Sequence, residues 1–338
     1  MTDVIGSGDS TRWWAPAPGR EGGDMETTDD AVIDVRGLTC TYGDFTAVRD
    51  LDLTVRRGEL FALLGTNGAG KTTTMETLEG HRAADAGRVR VLGLDPVADR
   101  ARLRPRLGIM LQESGFAGDL TVRETVDLWA SLTTNPRRTD EALERLSLAD
   151  RAGTRVVQLS GGQRRRLDLI LATLNNPEVL FLDEPSAGLD PESREAAWRF
   201  VADLKAGGTT VVLTTHYLEE AEALADHVAI MHEGRVATEG SVSDVVGTAP
   251  AAIEFTTVGL AGADLDRELR TVVDPVSLRI TADRVRLDVA DLQSSLGRLL
   301  RWADQHGHRL ERLNASEASL SEIFTRVSHS SNRLEDAS

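Results

Sequence analysis

The stretch that decides the fold is Gly65-Thr66-Asn67-Gly68-Ala69-Gly70-Lys71-Thr72, a glycine-rich turn that follows the apolar run at residues 60–64. Glycines at such a turn let successive backbone N–H groups point inward around phosphate oxygens. The ammonium group of Lys71 adds charge near the β and γ phosphates, and the hydroxyl of Thr72 can ligate Mg²⁺. Because a helix-compatible segment follows at residues 72–78, the order predicts a bound nucleoside triphosphate rather than a plain surface loop.

Length and charge narrow the function classes. The chain has 338 residues, of which 41% are hydrophobic, and a net charge of −16. Two units are expected, since domains usually hold roughly 100 to 200 residues. The acidic balance argues against binding to nucleic acid and against direct binding to anionic lipid, because both need clustered Lys and Arg. The arginine clusters at residues 100–106 and 164–166 are interpreted as solvated helix faces.

The sequence offers no sign of an oxidising compartment or a membrane span. Cys40 is the only cysteine, so no intrachain disulfide can form. There is no run of 18 apolar residues and no secretory signal pattern. These features predict a soluble, cytoplasmic chain.

The pattern along the chain predicts two folded units between two disordered tails. Residues 1–30 and 331–338 lack periodicity and are expected to be disordered. Within the predicted domain at residues 31–246, strand-like runs separated by turns extend from residue 31 to 111, and helical spacing follows at about 121–175. From Val179 onward, strands alternate with helical patterns, as in the βαβ units of an α/β domain. After a Gly, Thr, Pro and Ala cluster at residues 246–252, the order strand-helix-strand-strand-helix-strand over 251–330 predicts a small α+β, ferredoxin-like domain with a terminal helix.

Two carboxylates follow a second apolar run at residues 179–182. Asp183 and Glu184 would stand at the carboxyl end of a buried parallel strand, where ligand crevices open. There Asp183 would hold Mg²⁺ through water, and Glu184 would orient and deprotonate the water that attacks the γ phosphate. Taken alone, a strand that stops at a polar turn explains the pair equally well. Combined with Lys71 in an α/β pattern, it indicates a catalytic site.

A third element is the segment Ser160-Gly161-Gly162-Gln163, which stands just before a helix-compatible stretch at residues 164–174. A hydroxyl, two glycines and a helix start can present N–H groups and a positive dipole end to an anion. An ordinary helix cap at Ser160 is the alternative.

Together these three segments resemble the nucleotide-binding subunit of an ATP-binding cassette (ABC) transporter, over about residues 31–246. The resemblance implies a P-loop NTPase fold, with a mixed β core, a helical subdomain and an antiparallel β subdomain. The nucleotide-binding residues that it implies are Tyr42, Gly65, Asn67, Gly68, Ala69, Gly70, Lys71, Thr72, Thr73, Ser160, Gly161, Gly162, Gln163 and Asp190.

Specific roles follow from the same resemblance. Tyr42 matches the aromatic residue that stacks on adenine, Gln112 matches the glutamine loop, and Asp190 lies in the matching D-loop at residues 186–190. His216 matches the switch histidine, which bonds a γ-phosphate oxygen. The implied catalytic residues are Glu184, His216, Lys71 and Gln112, and the implied Mg²⁺ ligands are Thr72, Gln112 and Asp183.

The branch of the family is indicated by residues 111–114 and 119–124, which are similar to the daunorubicin-resistance export ATPases, and by residues 317–327, which are similar to their C-terminal extension. The resemblance implies a homodimer with ATP between the copies. It also implies a polytopic permease as partner at the cytoplasmic face of the membrane, and efflux of a hydrophobic drug or antibiotic. The alternative is a soluble ABC-type ATPase in translation, although such proteins normally carry two cassettes.

Overall fold

The computed structural model describes residues 30–112, 115, 117–257, 263–281 and 284–329. The predicted tails therefore lie outside the described residues, apart from Asp30, as do Glu113 and Ser114 of the segment similar to the export ATPases. The chain divides into two compact units, Met1–Val236 and Ala237–Ser338. This division falls about ten residues before the predicted boundary at residue 246.

Most strands and helices of the first unit lie where the sequence predicts strand-like and helix-like segments. The strands of the first unit are β1 (Ala31–Tyr42), β2 (Phe45–Arg56), β3 (Leu60–Gly65), β4 (Ala86–Val91), β5 (Leu107–Met110), β6 (Val179–Asp183), β7 (Thr210–Thr214), β8 (His227–His232) and β9 (Arg235–Ser241), which continues into the second unit. The helices of this unit are α1 (Lys71–Leu78), α2 (Arg100–Leu103), α3 (Val122–Ser131), α4 (Thr139–Arg145), α5 (Gly161–Thr173), α6 (Pro191–Ala206) and α7 (Leu218–Leu224).

A six-stranded sheet of order β5-β6-β7-β3-β8-β9 forms the centre of the first unit. Strands β5, β6, β7, β3 and β8 pair in parallel. Every residue of β3, β6 and β7 is buried, as expected for strands covered on both faces. Their carboxyl ends therefore open at one edge, and the predicted α/β class is confirmed.

A separate antiparallel sheet of order β2-β1-β4 packs in the same unit. Its inward residues alternate along β1, where Ile33, Val35, Leu38 and Cys40 are fully buried. This period of two places polar residues on the opposite face. The sheet supplies the aromatic end of β1 to the site described below.

Helices α3, α4 and α5 of the first unit share a core with β6 and β7. Thr121 begins α3 with a capping box, in which its hydroxyl accepts from the N–H of Glu124 and the Glu124 carboxylate accepts from the N–H of Thr121. Such reciprocal caps satisfy two N–H groups that a helix start leaves open. Val122, Val126 and Leu143 fill the core beneath it.

After a short helix that was not predicted, the second unit has the predicted order of elements from residue 251 onward. Its elements are α8 (Val242–Gly247), β10 (Ala251–Thr257), α9 (Ala263–Val273), β11 (Ser277–Ile280), β12 (Arg284–Val289), α10 (Leu292–Gln305), β13 (Leu310–Ser316) and α11 (Leu320–His329). The strands form an antiparallel sheet of order β11-β12-β10-β13, the ferredoxin-like arrangement. The buried apolar side chains of this unit include Phe255, Leu269, Leu299 and Trp302.

Within the described ranges, no helix is both long enough and apolar enough to cross a membrane.

Candidate nucleotide-binding site

A cleft of about 510 Å³ opens where β3, β6 and β7 end. Segments that are far apart in sequence meet there, because the carboxyl ends of parallel strands lie at one sheet edge. The cleft is lined by Tyr42, Phe45, Ala47, Asn67, Gly68, Ala69, Gly70, Lys71, Thr72, Thr73, Gln112, Asp183, Glu184 and His216. Most of the residues predicted to contact nucleotide, metal or attacking water therefore share one cavity.

The turn between β3 and α1 needs glycine at two positions. Gly70 has a φ of 99°, and a Cβ placed there would lie 2.5 Å from the carbonyl oxygen of Ala47. A Cβ at Gly65 would lie 2.6 Å from the carbonyl oxygen of Met231. Larger residues at either position would clash with backbone, so the turn can pack against its neighbours only as glycine. Gly70 is also the N-cap of α1, without a side chain to bond the first N–H groups, and the first three residues of the helix line the cleft.

Lys71 is the cation of the cleft and is held by the turn itself. Its Nζ donates to the carbonyl oxygen of Gly65 at 2.7 Å and to that of Thr66 at 3.1 Å. Burial lowers the pKa of Lys71, while the negative charges of Glu184 and Asp183 act in the opposite direction. A buried ammonium group bound only to neutral carbonyls is poised to exchange them for phosphate oxygens.

The acidic wall of the cleft is fixed by β7. The hydroxyl of Thr214 donates to Asp183, and the backbone N–H of Glu184 donates to the Thr214 carbonyl at 3.0 Å. Glu184 adopts a φ of 50°, a left-handed conformation that is uncommon outside glycine and is found at functional sites. Its carboxylate lies 2.7 Å from Nε2 of His216. The proposed base and the proposed γ-phosphate contact thus touch directly.

The aromatic end of the cleft holds Tyr42, which was predicted from the sequence, and Phe45, which was not. Tyr42 is 48% exposed, and the guanidinium of Arg82 lies 4.1 Å from its ring centroid. Its hydroxyl lies 3.4 Å from that of Thr73. Phe45, paired with Tyr42 across the β1–β2 hairpin, is 60% exposed and lines the same cleft. Its position two residues after Gly43 places it beside Tyr42 in a β-hairpin, and this could have indicated from the sequence that Phe45 lies at the same site.

The predicted nucleotide-binding residues that do not line the cleft are Gly65, Ser160, Gly161, Gly162, Gln163 and Asp190. Ser160 caps α5: its hydroxyl accepts from the N–H of Gln163, and the Gln163 amide oxygen accepts from the N–H of Ser160. Asp190 caps α6, where its carboxylate accepts from the N–H and the hydroxyl of Ser193. The ordinary helix-cap alternative thus describes the local structure, and the phosphate contact stays a prediction.

The interpretation of residues 164–166 as a solvated helix face is wrong for Arg165, which is only 7% exposed. Its guanidinium donates to the backbone carbonyls of Gln112 and Glu184, whose side chains line the cleft. Consecutive residues of a helix point in different directions, so three in a row cannot all face solvent when one side of the helix is packed against the protein. Arg164, by contrast, is exposed as predicted.

Glu220, which was not predicted as a site residue from the sequence, is fully buried on α7. Its carboxylate accepts from the hydroxyls of Ser186 at 3.0 Å and of Thr215, and from Nε1 of Trp198 at 2.8 Å. These bonds join the chain after Glu184 to the chain before His216. No residue type or spacing in the sequence distinguished Glu220 from the exposed acids beside it.

A glycine turn on a parallel strand, a buried lysine and paired acids at one sheet edge define a nucleoside triphosphatase of the P-loop class. Similarity to known protein families supports the same class. The ABC transporter family model matches residues 48–187, and the model for the C-terminal domain of ABC transporter domain-containing proteins matches residues 261–319.

Relatives extend over nearly the whole chain. The daunorubicin resistance ATP-binding protein DrrA3 of Streptomyces coeruleorubidus is 36% identical, over 91% of this chain and 99% of its own. The Nod factor export ATP-binding protein I of Paraburkholderia xenovorans is 36% identical, over 88% of this chain and 97% of its own. A solved ATP-binding subunit of an ABC transporter superposes with a TM-score of 0.60 at 28% identity, over 63% of this chain and 91% of that one. The chain belongs to the ATP-binding subunits of ABC transporters and is an ATPase.

Proposed function

We propose that this chain hydrolyses ATP to power efflux of a hydrophobic compound, such as a drug or antibiotic, through a separate membrane permease. The observation that carries the hydrolytic part is the Glu184 carboxylate held 2.7 Å from His216, in a cleft that also contains Lys71. The transport part is supported by relatives that are named for drug resistance and Nod factor export and that align over 91% and 88% of this chain.

The cleft fits Mg²⁺ together with a triphosphate. Thr72, Gln112 and Asp183 line it and offer hydroxyl, amide and carboxylate oxygens, the hard ligands that Mg²⁺ prefers. With a phosphate present, these residues would hold the ion, which supplies neutralisation of phosphate charge. Tyr42 and Phe45 present exposed rings at the same cleft, as a purine would need.

Hydrolysis follows from the placement of the charged groups. Phosphate oxygens would replace the two carbonyls that Lys71 now contacts, so its charge would stabilise the transition state. Glu184 would accept a proton from the attacking water, whose oxygen bonds to the γ phosphorus as the bond to the bridging oxygen breaks. ADP and phosphate leave. His216 stands beside Glu184 and would hold a γ-phosphate oxygen near that water.

The functional unit that we propose is a homodimer. Ser160 and Gly161 are exposed at the start of α5 and stand apart from the cleft that holds Lys71. A second copy facing the first would bring this helix start to a γ phosphate, together with Asp190 at the start of α6. ATP would then bind the closed dimer better than the open dimer, and its hydrolysis would let the dimer reopen.

The partner is proposed to be a polytopic permease, which would hold the dimer at the cytoplasmic face of the membrane. The translation-factor alternative gains no support, because the relatives that align over most of the chain are named for resistance and export.

The test is Glu184→Gln, which keeps the shape of the side chain but cannot take the proton. We expect phosphate release to fall by roughly 10² to 10⁴-fold, while Mg-ATP binding persists and a dimer accumulates on size exclusion with light scattering. Glu144→Gln, an exposed carboxylate on α4, is the matched control and should leave turnover unchanged. Undiminished hydrolysis in Glu184→Gln would show that the assigned base is wrong.

A further inference from the structure

One buried guanidinium joins the two catalytic segments of the cleft. The Nη1 atom of Arg165 donates to the carbonyl oxygens of Leu111 at 2.8 Å and Gln112 at 3.0 Å. Its Nη2 atom donates to the carbonyl oxygen of Glu184 at 2.6 Å and to that of Asp183. The chain segments at the carboxyl ends of β5 and β6 therefore both accept hydrogen bonds from one side chain of helix α5.

Burying the charge of Arg165 costs free energy, which a residue that only filled space in the core would not require. Arg165 is 7% exposed, and the nearest carboxylate oxygen, on Asp168, lies 3.9 Å from Nη1. Burial lowers the pKa of Arg165, which reports the cost of removing its charge from water. Buried charges seldom add net stability compared with apolar side chains of similar size. The rigid fork of a guanidinium can, however, hold several acceptors at fixed separation.

The acceptors belong to residues whose side chains act in the cleft. A carbonyl and a side chain leave the same peptide segment, so fixing the carbonyls of Gln112 and Glu184 fixes where both side chains begin. Both side chains line the cleft with Lys71. The distance between the Mg²⁺ side of the site and the base therefore depends on Arg165.

We propose that Arg165 is a positioning residue for ATP hydrolysis, which sets the separation of Gln112 and Glu184 and ties both to helix α5. The inference rests on the proposed function, since it assigns Arg165 to the hydrolytic step of that site. Helix α5 begins at Ser160, the segment proposed to meet the nucleotide of a second copy. Seating of that helix start at one nucleotide would thus be transmitted to the base at the other.

The next residue along the helix provides a matched control. Arg166 donates through Nη1 to the carbonyl oxygens of Leu146 at 3.0 Å and Ser147 at 3.4 Å, which lie just after α4 and outside the cleft. Arg166→Gln removes the same charge and backbone hydrogen bonds of the same kind from the same helix. It leaves the segments of Gln112 and Glu184 untouched.

The experiment compares Arg165→Gln, Arg165→Lys and Arg166→Gln in the full chain. For Arg165→Gln we expect kcat to fall about 10- to 100-fold, the loss typical of reacting groups displaced by an ångström or less. Mg-ATP affinity, and the dimer trapped by ATP in a Glu184→Gln background, should be retained. Arg165→Lys should recover part of the rate, because one ammonium group reaches fewer of the four carbonyls. Arg166→Gln should keep the kcat of the wild type.

Two results would overturn the inference while leaving the proposed function intact. One is a kcat for Arg165→Gln equal to that of Arg166→Gln. The other is a fall in kcat that comes with an equal loss of ATP affinity and of the trapped dimer, which would assign Arg165 to folding alone. A wild-type chain that does not hydrolyse Mg-ATP would instead refute the proposed function.

Discussion

Replacing Glu79 by Gln should stabilise the first unit increasingly as the pH rises. Glu79 ends α1 and is only 5% exposed. Burial, with the like charges of Asp183 and Glu76 adding to it, raises its pKa from the ordinary 4.5 to about 8. Its Oε2 lies 3.0 Å from Nδ1 of His81. A glutamine amide can donate to the same nitrogen, so the substitution removes the charge and keeps the contact.

The pKa difference fixes the sign and the size of the effect. Below pH 4.5 the carboxyl group is protonated in both the folded and the unfolded chain, and it contributes no pH dependence. Between 4.5 and 8 the unfolded chain loses the proton while the folded chain keeps it, so stability falls as pH rises. Above pH 8 the accumulated cost is on the order of 4 to 5 kcal/mol, at about 1.4 kcal/mol for each pH unit between the two values. Glutamine has no such cost.

Equilibrium urea unfolding at pH 6, 7, 8 and 9, without nucleotide or Mg²⁺, measures the effect. The gain in free energy of unfolding for Glu79→Gln over the wild type should grow through this series and level off above pH 8. The exposed Glu144→Gln serves as control and should give a difference that does not change with pH. An advantage of Glu79→Gln that is equal at pH 6 and pH 9 would refute the assignment of Glu79 as a buried carboxyl with a raised pKa.

Two further predictions concern the nucleotide. Lys71→Ala should lower the affinity for Mg-ATP by roughly tenfold or more in calorimetry, because it removes the cation of the cleft, whereas Lys205→Ala, which breaks a pair with Asp226 elsewhere, should not. Unchanged binding by Lys71→Ala would contradict the phosphate-loop assignment. Deletion of residues 251–338 should leave nucleotide binding intact, because every residue that lines the cleft precedes residue 217. Loss of all binding would show that the first unit does not end before residue 251.

Local patterns sufficed wherever a single segment decides its own conformation. The strand, glycine turn and helix around Lys71 were predictable because the apolar run specifies a buried strand and the glycines tolerate contacts that other residues cannot. The order of elements in the second unit was predictable for the same reason, since amphipathic periods of two and 3.6 residues mark strands and helices. Ser160 at the start of α5 followed from capping rules.

Burial of polar residues was not predictable in this way. In the sequence, residues 164–166 are three arginines with nothing to distinguish them. Among these three, Arg165 is the one that is buried and donates to the carbonyls of Gln112 and Glu184, which follow β5 and β6. Glu220 and Glu219 are adjacent acids, of which Glu220 alone is buried against three donors. The partners of these side chains lie up to 54 residues away along the chain, as for Arg165 and Leu111. These partners cannot be identified from the residues next to Arg165 or Glu220 in the sequence.

By itself, the sequence predicted a nucleoside triphosphate site in an α/β fold, because turn, strand and charge patterns are local and the phosphate needs each of them. Its resemblance to ABC transporter subunits added that the nucleotide is ATP and that it is hydrolysed. Only the tertiary structure decided that Glu184 touches His216 and that the Arg165 guanidinium donates to the backbone carbonyls of both Gln112 and Glu184. Parallel strands bring distant chain segments to one edge, and the contacts made there depend on strand order and packing, which no stretch of residues specifies alone.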